Sequence, residues 1–190
     1  MNSNDLCYMS ATDALEHFRS AKLSPIELLD AIIKRCEQIE PAINAFSDCW
    51  FDEARDAARL AERRYVDGTA RPLEGLSCVI KDQIKLANRV TTSGSLIFKD
   101  HVDSSTDVMA ERLIDAGVII HARSTTPEFC LLGTTQSRIW GVTRNPYNLD
   151  FTPGGSSGGT GASLAAGTST LGTGTDIAGS GAFAYGAFGL

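Results

Sequence analysis

The sequence predicts an α/β fold in which helices flank a mixed β-sheet core. Three observations carry this reading. Capped amphipathic helices recur through the first two thirds of the chain, and two short apolar runs, at residues 76–80 and 118–120, have buried-strand composition. A helical segment closed by Gly117 leads directly into the second run, giving the strand, helix, strand spacing of an α/β core. Composition agrees: of 190 residues, 43% are hydrophobic and 21% charged, as in a globular chain rather than a disordered or fibrous one.

The elements follow in order. Ala11 to Arg19 reads as a helix. Ser24-Pro25-Ile26-Glu27 is a capping box with proline in the first helical position, and Ile26, Leu29, Ile32, Ile33 and Cys36 then share one face until Pro41, where the helix is expected to stop. Ala54, Ala57, Ala58, Ala61 and Tyr65 form a second amphipathic stripe that ends at Asp67-Gly68. Residues 1–70 are therefore expected to be an amino-terminal helical region and residues 71–190 the α/β portion. Within the latter, residues 107–116 form a helix, and Thr126-Pro127-Glu128 opens a short one. Residues 133–153 are a long polar segment with turn signals at Asn145-Pro146 and Asn148, and loops of that length are usually functional or disordered. Small residues from Thr160 to Ala166 make a last helix, with Gly167 as its stop.

Charge and cysteine usage narrow the function classes. With 17 basic and 23 acidic residues the net charge is -6, so nucleic acid is a poor partner. The first ten residues carry neither a basic nor an apolar signal region, and no run of 18 apolar residues occurs, so the chain is expected to be cytoplasmic with no membrane partner. Cys7, Cys36, Cys49, Cys78 and Cys130 lie at irregular wide spacings without histidines in metal-ligand register. They read as free thiols, and no metal or organic cofactor is implied. His17, His101 and His121 read as structural or solvated, since none neighbours a candidate nucleophile.

The chain changes character near residue 150. All 17 Lys and Arg residues lie at or before Arg144, whereas from Phe151 onward Asp176 is the one charged residue and 12 of the 18 glycines occur. The densest feature, Pro153-Gly154-Gly155-Ser156-Ser157-Gly158-Gly159, has linker composition but runs straight into a small-residue helix. It is no phosphate loop, because no lysine follows the glycines. What remains is a glycine-rich site whose backbone N–H groups can approach a reacting atom and whose serines supply hydroxyls. A serine hydroxyl needs a base, and with no histidine nearby the best-placed one is Lys81, directly after the apolar strand. An amine with a reference pKa of about 10.4 is neutral in roughly one molecule in 2,500 at pH 7, so this role requires burial to lower the pKa by several units.

Taken together these residues resemble the amidase signature family. The similarity runs from about Ser10 to Gly179, through Leu76-Ser77-Cys78-Val79-Ile80-Lys81-Asp82, Thr126-Pro127-Glu128-Phe129, Gly141-Val142-Thr143-Arg144-Asn145-Pro146, the glycine-serine stretch, and Gly174-Thr175-Asp176-Ile177-Ala178-Gly179-Ser180. The resemblance implies an amidase that cleaves carboxamide C–N bonds of a small-molecule amide through a Ser-cisSer-Lys triad and an acyl-enzyme. Ser180 would be the nucleophile, Ser156 the cis-serine relay and Lys81 the base; the 24-residue interval from Ser156 to Ser180 matches that arrangement. Backbone N–H groups of Ile177, Ala178, Gly179 and Ser180 would form the oxyanion hole, with Thr175, Asp176 and Ser157 supporting it.

Two departures qualify the expectation. The family pattern places an apolar residue, an arginine and soon a proline after the nucleophile, where this chain has Gly181-Ala182-Phe183-Ala184-Tyr185. Members of the family are also more than twice this long, so the chain reads as the amino-terminal portion of the fold, truncated after the nucleophile. Two outcomes are therefore expected to compete: an amide hydrolase, or an inactive fragment acting as a binding or oligomerising module that self-associates through its exposed core.

Overall fold

The computed structural model describes residues 2–176. Three helices open the chain: α1 (Ser3–Cys7), α2 (Ala11–Arg19) and α3 (Pro25–Ile43). The capping box forms at α3, where Ser24 Oγ accepts the Ile26 N–H at 3.0 Å and the Glu27 carboxylate accepts the Ser24 N–H at 2.9 Å. Pro41 does not stop this helix. It sits in the last turn, where its missing N–H forfeits one bond, and termination falls to Asn44, left-handed at φ 51°, whose N–H reaches the Glu40 carbonyl at 2.9 Å.

A strand that the sequence reading did not foresee follows at once, β1 (Phe46–Cys49), and then α4 (Phe51–Val66). After β2 (Ser77–Lys81), α5 (Val108–Asp115) crosses over to β3 (Ile119–Ser124). A two-stranded hairpin, β4 (Gln136–Ser137) and β5 (Gly141–Val142), lies within the long polar segment; α6 (Gly158–Ala165) and β6 (Leu171–Gly172) complete the described elements. The main sheet has the order β1-β3-β2-β6, with β1 antiparallel to β3 and β2 parallel to both β3 and β6. Every residue of β2 is buried, as expected of a strand with parallel neighbours on both sides and helices packed over it.

Helix α3 supplies two faces of core. Leu28, Ile32 and Cys36 join Phe18, Leu76, Val79, Ala122 and Ala162, whereas Leu29 and Ile33 meet the alanine stripe Ala54, Ala58 and Ala61 of α4. Each such buried Leu or Ile contributes about 1.5–3 kcal/mol. Helix α6 packs against β2, β3 and β6, and its glycines make that approach possible: a Cβ on Gly159 would lie 2.6 Å from both the backbone N and O of Thr125. This packing brings the start of α6 to the carboxyl ends of β2 and β3. Among the described residues no helix is long and apolar enough to cross a membrane.

Candidate active site

Lys81 is the last residue of β2, and its side chain is wholly buried. The sheet fixes its backbone: its N–H donates to Thr173 Oγ1 at 2.9 Å, and its carbonyl accepts from Gln83 N at 2.7 Å and Ile84 N at 3.0 Å. Residue 173 continues the register of β6 by donating its N–H to the Val79 carbonyl at 3.0 Å, so residues 173–175 run alongside the end of β2. That carries Thr175 to the lysine. Lys81 Nζ lies 2.6 Å from Thr175 Oγ1 and 2.7 Å from Ser156 Oγ.

Ser156 enters from the other side, ahead of α6. The Gly155–Ser156 peptide bond is cis, the Ser156 carbonyl accepts the Thr126 hydroxyl at 3.0 Å, and the side chain is buried. Thr135 braces this turn by donating to the Gly154 carbonyl at 2.9 Å and accepting the Gly158 N–H at 3.1 Å. Ser157, fully buried, grips Thr175 instead: its Oγ accepts the Thr175 N–H and donates to the Thr175 carbonyl, each at 3.2 Å. The two adjacent serines thus divide their work, one on the amine and one on the backbone of the residue beside it.

Burial pushes the Lys81 amine below the ordinary lysine range, while the nearby Cys130 and Asp176 pull it back up. Next along the chain, Asp82 is buried in donors: Thr92 N at 2.9 Å, the Thr92 hydroxyl, Trp140 Nε1 at 3.1 Å, and the Arg123 guanidinium at 3.8 Å. Arg123 also donates to the Ile84 carbonyl at 2.9 Å, which fixes the turn that leaves β2.

Of the residues singled out from sequence, Lys81, Ser156, Ser157 and Thr175 come together, and Asp176 acts on the amine through its charge. Ile177, Ala178, Gly179 and Ser180 lie outside the described residues. Two neighbours were missed. Gln83 Oε1 accepts from Thr175 Oγ1 at 2.9 Å and from Cys130 Sγ at 3.1 Å. The sequence held one signal for Gln83, a polar residue two positions beyond a buried strand-end lysine; Cys130 is aimed inward by left-handed backbone at Phe129 and Cys130, which composition does not reveal. A separate cleft of about 510 Å³, lined by residues including Phe18, Leu23, Glu62 and Tyr65, lies apart from this cluster. Among the described residues no cluster of His, Cys, Asp and Glu could hold a metal ion.

Comparison with known proteins identifies the family. One subunit of the glutamyl-tRNA(Gln) amidotransferase from a Synechococcus species is 36% identical over 166 residues, a match that takes in 87% of this chain and 34% of that protein. A putative amidase, AmiB2, of Mycobacterium tuberculosis is 35% identical over 180 residues, covering 95% of this chain and 39% of its own length. Among solved structures, a fatty acid amide hydrolase superposes with a TM-score of 0.88 at 25% identity, over 92% of this chain and 31% of that one. A bacterial aryl acylamidase does so at 0.80 and 31% identity, over 85% and 34%. The chain thus spans 34 to 39% of the length of these two curated relatives. The Amidase family model itself matches residues 27–183, which takes in every residue of the cluster described above, and the chain therefore belongs to the amidase signature family.

Proposed function

We propose that this chain carries the nucleophile-activating machinery of an amide hydrolase, with Ser180 as nucleophile, Ser156 as relay and Lys81 as base. The observation that most supports this is the 2.7 Å contact between a buried lysine amine and the Ser156 hydroxyl. Burial favours the neutral amine, and a neutral amine beside a hydroxyl is the arrangement a base needs.

The reaction runs as two acyl transfers. Ser180 Oγ attacks the carboxamide carbon as its proton passes to Ser156 Oγ, and the Ser156 proton passes to Lys81 Nζ, giving an ammonium. Backbone N–H groups of residues 177–180 stabilise the oxyanion. On collapse the C–N bond breaks, and the proton returns from Lys81 through Ser156 to the departing amine. Water then attacks the acyl-enzyme, losing its proton to the same relay, and releases the carboxylic acid while restoring Ser180. Thr175 and Ser157 hold the amine and its neighbour in place, and Asp176 sets the local charge.

A serine-directed fluorophosphonate tests the assignment, with the modified residue located by mass spectrometry. The adduct is expected on Ser180, and Lys81→Ala should slow its formation by about 100-fold or more near neutral pH. Labelling of Ser156 in place of Ser180 would reverse the two serine roles, and labelling unchanged by Lys81→Ala would remove Lys81 as the base.

A further inference from the structure

We propose that Gln83 is a positioning residue of this site: its side-chain carbonyl sets the direction of the hydrogen bond between Lys81 and Thr175, and so leaves the amine lone pair to Ser156. The inference rests on the relay reading above. Thr175 has one hydroxyl proton. Its Oγ1 lies 2.9 Å from Gln83 Oε1, an atom with no proton to give, so Thr175 must donate there. Toward Lys81 Nζ, 2.6 Å away, the same oxygen can then only accept. A neutral amine has two N–H groups and one lone pair. With an N–H directed at Thr175, the lone pair is left for the Ser156 hydroxyl at 2.7 Å.

Without that acceptor, Thr175 is free to turn its proton onto the amine nitrogen and occupy the lone pair the relay uses. Gln83 is held against such a change from two sides. Its oxygen also accepts from Cys130 Sγ at 3.1 Å, and its backbone N–H donates to the Lys81 carbonyl at 2.7 Å. Among the described residues, the titratable and charged groups that act on the Lys81 amine are the Cys130 thiol and Asp176 beyond β6, while Asp82, next along the chain, pairs with Arg123 of β3 at 3.8 Å. All four are kept in the variants below.

The test compares Gln83→Leu, which removes the acceptor, with Gln83→Glu, which keeps an acceptor of the same shape and adds a negative charge. Two quantities are read across pH: the rate of fluorophosphonate labelling, and the titration of Lys81 by NMR of protein carrying [13Cε]lysine, assigned by loss of the signal in Lys81→Arg. In Gln83→Leu the plateau labelling rate should fall at least tenfold while the Lys81 titration moves to lower pH. More free base with less reactivity is a pairing that mere loss of packing does not produce. In Gln83→Glu the plateau should stay within about threefold, with rate profile and titration both displaced to higher pH. A Leu variant with the parental plateau, or one that loses rate with its titration unmoved, overturns the proposal. If the Leu variant does not fold, the Glu variant decides: an unshifted titration or a collapsed plateau overturns it. If the parent protein is not labelled at all, the relay reading fails, and opposite displacements of the Lys81 titration in the two variants still support the role of Gln83, whereas unmoved titrations refute it.

Discussion

Two buried groups with oppositely perturbed ionisation should give this protein a flat stability profile in mild acid, and removing either one should tilt it. His121, wholly buried between the rings of Phe46 and Phe51, is pushed from 6.5 to about 4 by burial, against the opposing bond to the Thr168 carbonyl. Glu40, whose Oε1 accepts the Phe46 N–H at 2.5 Å while Oε2 has no hydrogen-bond partner among the described residues, is pushed by burial from 4.5 to about 7. The depressed histidine favours the fold above pH 6.5, and that advantage is lost as pH falls toward 4. The raised carboxyl favours it below 4.5, and that advantage is lost as pH rises through 7. Each shift is equivalent to about 3 kcal/mol in total. Between pH 4.5 and 6.5 the two slopes cancel, leaving stability constant to within about 1 kcal/mol. In His121→Gln the Glu40 slope stands alone and stability should fall by about 2 kcal/mol from pH 4.5 to 6.5; in Glu40→Gln it should rise by about 2 kcal/mol over the same range. Urea unfolding followed by tryptophan fluorescence at half-unit pH steps measures this, with the slope of each transition checked for constancy. Three parallel profiles would refute the reasoning.

The active-site assignments carry their own tests: Lys81→Ala should suppress fluorophosphonate labelling of Ser180, and the Gln83 variants should separate base population from reactivity. Ser157→Ala should slow labelling by about tenfold or less, because it leaves both backbone groups of Thr175 without their serine partner, at about 1 kcal/mol, yet touches no proton of the relay. A loss as large as that of Lys81→Ala would mean that Ser157 belongs to the relay itself. Gly159→Ala should destabilise by about 1–3 kcal/mol, since the new methyl would lie 2.6 Å from the backbone of Thr125; an unchanged melting temperature in calorimetry would show that α6 does not seat as described.

What could be read from the sequence was what is local. The capping box at Ser24, the alanine stripe of α4 and the glycine closing α5 depend on residues a few positions apart, and each lies where its spacing puts it. The apolar run marked Lys81 as a strand-end residue, but its burial was not legible there, because it depends on Ser156 and Thr175, 75 and 94 positions away. The misses all depend on distant partners. β1 has only Phe46 fully buried among its four residues and exists through pairing with β3, some 75 residues on. Pro41 sits in a last turn closed by Asn44, whose Nδ2 donates to the Trp140 carbonyl at 2.7 Å. Trp140, from the segment read as a long polar loop, reaches back 58 residues to Asp82. Gln83 gains its role from Thr175 and Cys130, 92 and 47 positions away.

The chemistry of the site follows from what surrounds the amine. Among the described residues its two shortest contacts, Ser156 and Thr175, are hydroxyls, and a hydroxyl can accept from an ammonium or donate to a neutral amine with only a rotation. Lys81 can therefore gain and lose a proton without rebuilding these two contacts, as the proposed base role requires. That indifference alone would let either hydroxyl donate to the lone pair. The symmetry is broken by the second contacts of the two neighbours. Thr175 is committed to the Gln83 oxygen, and its backbone is gripped by Ser157. Ser156 has its carbonyl tied to Thr126 and its hydroxyl left for Lys81. In the relay proposed above, the direction of proton flow is set by acceptors one bond removed from the amine, in the turn that follows β2 and just ahead of α6.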